Sequence, residues 1–274
     1  MSAAVNTQAV DVDLAELLAL AESAAHQAGR LLVERRPADL RVASTKSSPT
    51  DVVTEMDTAA ERLLVERLLG ARPNDGVLGE EGASGAGSSG VRWVLDPIDG
   101  TVNYLYNLPA WSVSVAAEIL GRAVVGVVHA PGLGATWAAV RGGGASCNGA
   151  PVRSASPVPV AQALVGTGFG YAAARRSRQG EVLSALLPRV RDVRRIGSAA
   201  IDLCLVAGGQ LDAYYERGTN RWDIAAGGLV AQEAGVRVEG LHGHPASPEM
   251  VLAAVPGLFE PFHDLLASLD PARD

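Results

Sequence analysis

The sequence predicts a mixed α/β fold built from two unlike halves, and three observations carry that reading. In the first half, after two helical stretches, short apolar runs are separated by tight turns, the pattern of an antiparallel meander. In the second half, strand-like and helix-like segments alternate, which points to an α/β layer. Between the halves, residues 154–159 are rich in Ser and Pro and read as a boundary, giving one unit over 1–153 and another over 154–274.

The elements follow in order. Asp13 precedes a helical apolar period of Leu14, Leu17, Leu18, Ala21, Ala25, Ala28, Leu31 and Leu32, with Glu16 at capping-box spacing. This helix should end near Arg35-Arg36-Pro37, and its His26 reads as a surface or packing residue. Beyond a polar loop, Thr54 or Asp57 can cap a second helix with an apolar face of Ala60, Leu63, Leu64 and Leu68. Capping is the preferred role for Asp57; Asp51 lies before the cap, its carboxylate free for other work. Residues 76–82 read as a strand that ends in two adjacent acids, Glu80 and Glu81. Side chains alternate along a strand, so the two should point to opposite sides and only one should enter a given site. Residues 83–90, small and rich in Gly and Ser, read as a mobile surface loop.

Strands at 111–119, 123–130 and 135–140 make the meander. Gly142-Gly143-Gly144 is a turn, since no P-loop lysine follows it. In the second half, strands at 163–167, 190–195, 211–216, 236–239 and 250–255 alternate with helices at 171–187, 198–207, 222–234 and 258–269. Arg175, Arg176 and Arg178 on the first of these helices are within reach of a substrate, but a solvated helix face is the preferred reading.

Composition narrows the function. The chain has 274 residues, 48% hydrophobic and 19% charged, which is globular. No apolar run approaches the roughly 20 residues of a membrane span. The first residues lack the basic and apolar regions of a signal peptide, so the expected compartment is the cytosol. Cys147 and Cys204 lie far apart with no His at metal spacing and read as reduced packing residues. A net charge of −7 argues against nucleic acid as the main partner. An anionic substrate would need a bound cation to reverse the local field.

The stretch that organises the chain is Trp93-Val94-Leu95-Asp96-Pro97-Ile98-Asp99-Gly100-Thr101-Val102-Asn103-Tyr104. Residues 91–95 read as a buried strand, and Pro97, lacking an N–H, should end its ladder. Asp96 and Asp99 then sit three residues apart where the chain turns. Gly100 permits close backbone approach, and a short helix beginning at Thr101 would leave N–H groups free. Carboxylates and amides together suit a hard cation and a phosphate; an Asp-Pro turn with Asp99 as a cap is the plainer alternative. Asp223 opens a helix at Trp222-Asp223-Ile224, where an acid also serves as a dipole partner. Glu80, Asp96, Asp99 and Asp223 are all near element ends with no His or Cys among them. Either they are scattered, or they are gathered around Mg²⁺ or Mn²⁺, because gathered carboxylates without cations repel one another.

These motifs resemble those of the inositol monophosphatase family. The resemblance rests on Gly79-Glu80-Glu81, on the stretch from Trp93 to Tyr104, and on Trp222-Asp223-Ile224-Ala225-Ala226-Gly227. Lys46 with Asp51-Val52-Val53-Thr54 and Asp57, and Ile196-Gly197-Ser198-Ala199-Ala200 followed by Asp212 to Glu216, extend it in the right order. The resemblance implies a five-layered α-β-α-β-α sandwich, two to three Mg²⁺ per site with Mn²⁺ possible, lithium sensitivity and a homodimer. It implies metal ligation by Glu80, Asp96, the Ile98 carbonyl, Asp99 and Asp223. It places Asp51, Glu80 and Thr101 as catalytic residues, with Asp51 and Thr101 orienting the attacking water. Gly100 and Thr101 would hold phosphate, and Gly197, Ala199 and Glu216 would face the substrate hydroxyls, with Asp99 and Asp223 nearby. The implied reaction is hydrolysis of a small phosphorylated polyol, first of all myo-inositol 1-phosphate. Histidinol-phosphate and fructose-1,6-bisphosphate phosphatases share such a site, and a weakly catalytic regulator keeps such a fold.

Overall fold

The computed structural model describes residues 12–46, 52–271 and 273. Helix α1 (Leu14–Glu34) starts where predicted, with Asp13 Oδ1 accepting from the Ala15 N–H at 2.8 Å. A small hairpin of β1 (Ser44–Thr45) and β2 (Val52–Val53) leads to α2 (Glu55–Ala71). There Thr54 and Asp57 form a reciprocal cap, the Thr54 N–H donating to Asp57 Oδ2 at 2.8 Å. Next come β3 (Gly76–Gly79), β4 (Ser84–Gly85), β5 (Val91–Asp99), α3 (Thr101–Leu105), β6 (Ser112–Ile119), β7 (Arg122–Ala130) and β8 (Ala135–Val140). Two short strands, β9 (Gly144–Cys147) and β10 (Ala150–Val152), prolong the meander. The second half holds β11 (Leu164–Thr167), α4 (Ala173–Leu186), β12 (Asp192–Arg194), α5 (Ala199–Ala207), β13 (Ala213–Glu216), α6 (Arg221–Glu233), β14 (Arg237–Glu239), β15 (Val251–Ala254) and α7 (Phe259–Ser268).

Among the described residues these strands make, besides the hairpin, an eight-stranded sheet ordered β10-β9-β8-β7-β6-β5-β3-β4 and a five-stranded sheet ordered β12-β11-β13-β15-β14. The first is antiparallel except where β3 runs parallel to β5. The second is mixed, with β11 parallel to β12 and β13, and β15 antiparallel to its neighbours.

The five layers follow from the two-residue period of strands. On β5, Trp93 and Leu95 join an apolar core with Leu17, Leu32 and Leu64 of α1 and α2, while Val94 joins a core with α5 and α6. On β15, Val251 and Ala253 face that same middle core, and Leu252 and Ala254 face α4 and α7. Each sheet is therefore apolar on both sides, with α5 and α6 between the sheets, the α-β-α-β-α order.

Two expectations need correction. Pro97 does not end its strand: Asp96 pairs with Ser114 and Asp99 with Ser112, with a register shift between them. The proline sits in a bulge, the one kind of interior position that needs no ladder N–H. The stretch 83–90 is not all loop, since Ser84 and Gly85 pair with Leu78 and Val77 as the edge strand. Both cysteines are free, Cys204 buried and Cys147 half-buried, as expected.

The position of α6 matters most, because it carries Asp223. Its N-terminus is fastened to β6: the buried Glu118 carboxylate pairs with Arg221 and, at 2.6 Å, with Arg92, and Ser114 Oγ donates to the Trp222 carbonyl at 3.2 Å. Its flank presses on β7 at Gly126, where a methyl group would stand 2.8 Å from the Ala226 carbonyl oxygen. Only glycine allows this helix–sheet distance. Gly126→Ala should therefore lower the urea midpoint by the equivalent of about 1–3 kcal/mol with an unchanged m value. A midpoint equal to wild type would mean that α6 is free to move away from the sheet.

Candidate active site

Four element ends meet at a cleft of about 590 Å³. One wall is acidic. Strand β3 stops at Gly79 because the loop after it is gripped from outside: Glu61 of α2 accepts from the N–H groups of Glu81 and Ala83, both at 2.9 Å. Glu80 and Glu81 therefore lie in a turn, where alternation does not apply. They do not point to opposite sides; both reach the Lys46 ammonium, at 2.9 and 2.6 Å. Glu80 lines the cleft. Lys46 is partly buried, which works against its charge, yet the two glutamates raise its pKa above the ordinary lysine range.

Single oxygens of Glu80, Asp96 and Asp223 lie within 4.8 Å of one another. Asp223 is held by the Asn220 N–H, which donates to Oδ2 at 2.5 Å, so it is a helix cap and a cleft residue at once. Asp96 accepts from the Ile98 N–H at 3.0 Å across the bulge. Burial first, then Glu80, Asp99 and Asp223, pushes the Asp96 pKa well above its ordinary value. Asp223 is raised by burial, Asp99 and Glu80. This is the signature of carboxylates gathered without a counter-ion. Their chemistry fits a hard divalent cation: all donors are oxygen, with no imidazole or thiolate among them.

Asp99 lines the same cleft, but its oxygens are spoken for by the N-terminus of α5. Ser198 Oγ donates at 2.5 Å, the Ala200 N–H at 2.7 Å and the Ala199 N–H at 3.3 Å. A carboxylate has about four lone-pair sites, so these bonds leave room for a cation. Gly100, at φ 97°, caps α3 where its Cα faces the Gly197 carbonyl; a side chain there would come within 2.9 Å of that oxygen. Asn103 locks the same approach, donating to Ala110 O at 2.6 Å and Ile196 O at 2.9 Å.

Thr101 is the residue whose partner the sequence reading missed. Its hydroxyl lies 3.1 Å from Asp57 Oδ1 and 3.0 Å from the Ile98 carbonyl. Asp57 Oδ2 takes the N–H and the hydroxyl of Thr54, at 2.8 and 2.6 Å. Asp57 thus caps α2 with one oxygen and offers the other to Thr101, and burial raises its pKa. The expected partner, Asp51, lies outside the described residues. The available signal was spacing: Asp57 is a cap at N3, and such a residue has a second oxygen to spend.

On the opposite wall, Glu216 accepts from Tyr214 Oη at 2.7 Å, and burial raises its pKa while Arg195 lowers it. Gly197 and Ala199 line this side. Of the three arginines read as a solvated face, only Arg176 fits that description. Arg175 lines the cleft, and Arg178 donates to the carbonyls of Leu269 and Asp270 at 2.6 and 3.0 Å.

The fold and the site define a hydrolase-like cleft, acidic enough for divalent cations and with main-chain and hydroxyl donors beside them. Residues 13–268 match the inositol monophosphatase family. An inositol-1-monophosphatase of Mycobacterium leprae is 46% identical over 94% of this chain and 95% of its own. The solved structure of Mycobacterium tuberculosis SuhB is 42% identical, with a TM-score of 0.81 over 96% of this chain and 100% of that one. A protein of Pasteurella multocida named Nus factor SuhB is 39% identical over 87% of this chain and 91% of its own. The chain belongs to the inositol monophosphatase family and is, by that membership, a phosphatase.

The site predicts its own pH dependence. Asp99 and Glu81 are pushed up to about 7, in both cases first by burial. A carboxylate with a raised folded pKa stabilises the fold while protonated, and that stability is lost as pH rises through the folded value. His129, pushed down to about 4 by burial and by His26, has the opposite sign, but only in acid. The loss runs from about pH 4 to 7 and is opposed by His129 below about 6.5, so the melting temperature of metal-free protein should fall between about pH 6.5 and 7.5 and level off above, and saturating Mg²⁺ should flatten the slope. A metal-free curve that is level or rising over that window by scanning fluorimetry would overturn this account.

Proposed function

We propose that the protein hydrolyses small phosphate monoesters with Mg²⁺, and that its leading substrate is myo-inositol 1-phosphate, released as myo-inositol and phosphate. The observation that carries the reading is the meeting of Glu80, Asp96 and Asp223 in the cleft that Thr101 also lines, with Thr101 bonded to Asp57. Glu80, Asp96, the Ile98 carbonyl, Asp99 and Asp223 are the proposed ligands of two to three ions, and Mn²⁺ suits the same oxygens. Bound there, the cations would neutralise the phosphate, acidify a water and stabilise the leaving alkoxide.

The chain's own residues do the rest. Asp57 accepts a hydrogen bond from the Thr101 hydroxyl, which turns the Thr101 lone pairs toward the cleft to receive a hydrogen bond from the attacking water. That fixes the water's direction, a contribution of orientation. The N–H groups of Gly100 and Thr101 hold phosphate oxygens. Glu216, with Gly197 and Ala199, faces the alcohol hydroxyls. The proposal includes a cytoplasmic homodimer and a division of the chain at 153/154. A second reading, a regulatory binding protein, is favoured by one observation, the name Nus factor SuhB carried by the Pasteurella relative.

Purified protein with Mg²⁺ and a panel of phosphate monoesters separates the two: phosphate release supports the enzyme, and clean protein releasing none supports the regulator. Asp57→Asn should lower kcat by about a hundredfold, the scale of a misplaced reacting group. Its circular dichroism should match wild type. Turnover equal to wild type would remove Asp57 from the site.

The metals give a separate check. Mg²⁺ should activate and Ca²⁺, larger and less strictly octahedral, should inhibit. Lithium inhibition should be uncompetitive with substrate, since the ion would enter after the alcohol departs. A steady-state grid of Li⁺ against substrate that reads as purely competitive would contradict this ordering.

A further inference from the structure

Three of the chain's five histidines, His242, His244 and His263, lie on the loop after β14 and on the helix α7 beside it. The first two belong to a tight turn. The His244 N–H donates to the Leu241 carbonyl at 3.1 Å, and the central residues His242 and Gly243 both have positive φ, 56° and 76°. Such a turn is ordinarily filled by Asn-Gly or Gly-Gly. A histidine at its first central position is strained, because the Cβ crowds the backbone there. A contact from outside the turn holds it: the His242 N–H donates to His263 Nε2 at 3.0 Å. A backbone N–H can only donate, so Nε2 carries the lone pair and Nδ1 the hydrogen, which faces Asp264 Oδ1 at 3.1 Å. The His263 side chain is only 16% exposed, stacked on Phe259 and edge-on to His242.

The loop carries this contact to the cleft. Beyond the turn, Ser247 and Met250 exchange backbone hydrogen bonds at 3.1 Å each way, and Met250 is buried in the core that α4 and α7 cover. Between them the Pro248 carbonyl accepts from the Gly218 N–H at 2.8 Å. Gly218 lines the cleft, next to Thr219 and to Asn220, whose N–H holds Asp223. One end of the loop thus hangs on His263, and the other supports a rim of the cleft. Histidine is the side chain that ordinarily changes charge between about pH 5 and 8. A proton taken from solvent would bond to Nε2 in place of the lone pair; a donor would then face a donor, and the His242 N–H would lose its acceptor. The surroundings pull both ways. Asp264 on α7 and Glu239 on β14 favour the charged ring. Arg237, paired with Glu239 and Glu260 and lying over the Phe259 ring, opposes it, as do His242 and His244 in the loop when they are protonated.

We propose that His263 is a proton-operated latch on the rim of the cleft. Neutral, it fixes the turn at His242 and, through the loop, the backbone at Gly218. Protonated, it releases the turn and loosens that rim. The rim is therefore best ordered above the titration of His263 and least ordered below it, whichever ester the cleft hydrolyses. The buried carboxylates of the cleft act with the opposite sign, since protonation stabilises the fold that holds them. Acid thus opens the latch while those carboxylates favour the folded state as a whole.

The test is amide hydrogen exchange of the full-length protein at about pH 7.5 and about pH 5.5, either side of an ordinary histidine titration, read by mass spectrometry and corrected for the chemical exchange rate. In wild type, protection of residues 241–250 and 216–220 should fall about tenfold at the lower pH, the scale of one hydrogen bond, while β7 stays as protected as before. In His263→Gln, whose amide oxygen can accept but not titrate, the pH dependence of both segments should vanish. His242→Asn, which suits the turn and keeps the backbone N–H, should retain it. Equal protection of wild type at the two pH values overturns the latch. So does a pH-dependent loss that persists in His263→Gln or disappears in His242→Asn. A loss at 241–250 with none at 216–220 would be a turn that opens without reaching the cleft, and it too overturns the proposal.

Discussion

The constraint on which the structure turns is the repulsion among buried carboxylates. Asp96, Asp223, Glu80 and Asp99 share one cleft, and burial and mutual charge raise the pKa values of Asp96, Asp99 and Asp223. Each acid comes with a device that limits the cost. Asp99 is clasped by Ser198 and the first amides of α5. Asp223 receives the Asn220 N–H, and Glu80 shares Lys46 with Glu81. The elements carrying these acids are in turn held by contacts that do no chemistry: Glu61 on the turn after β3, Glu118 on the start of α6, the proline bulge on β5. A fold that spends this many contacts on keeping acids together makes sense when a divalent cation completes it.

The charge pattern along the cleft is also directional. Its acidic wall would be inverted by cations, whereas the far wall already carries Arg175 and Arg195 beside the single carboxylate of Glu216. A substrate with charge at one end only and a substrate with charge at both ends would therefore meet different electrostatics in the same cavity.

Much of this was legible in the sequence, and the limits were physical. The buried strands were readable because apolar runs and turn residues are local signals, and the caps Asp13, Thr54 and Asp223 were readable for the same reason. The gathering of Glu80, Asp96 and Asp223 followed from the motif resemblance; the residues alone left them scattered or gathered, and the absence of a softer ligand bore only on which metal would suit them. What could not be read was set by partners far along the chain. Glu80 and Glu81 converge because Glu61 ends the strand, and Asp57 serves Thr101 because two helix starts meet. Arg175 left its solvated face because Gln179 folds the rim back onto α4. Pro97 continued its strand because a bulge, which leaves no local trace, removes the need for its N–H.

The clasp of Asp99 by Ser198 and Ala200 joins residues about a hundred positions apart, and Asp223 is still more distant. In kinetic terms such contacts are expensive to close before the intervening chain is ordered. The pocket is therefore expected to assemble late, after the local helices and the meander have formed. An ion that binds only the assembled pocket lowers the native state without lowering a transition state in which the pocket is still open. It acts on how slowly the molecule comes apart, not on how fast it folds: for this chain a cation would be a lock on the unfolding rate before it is anything to a substrate.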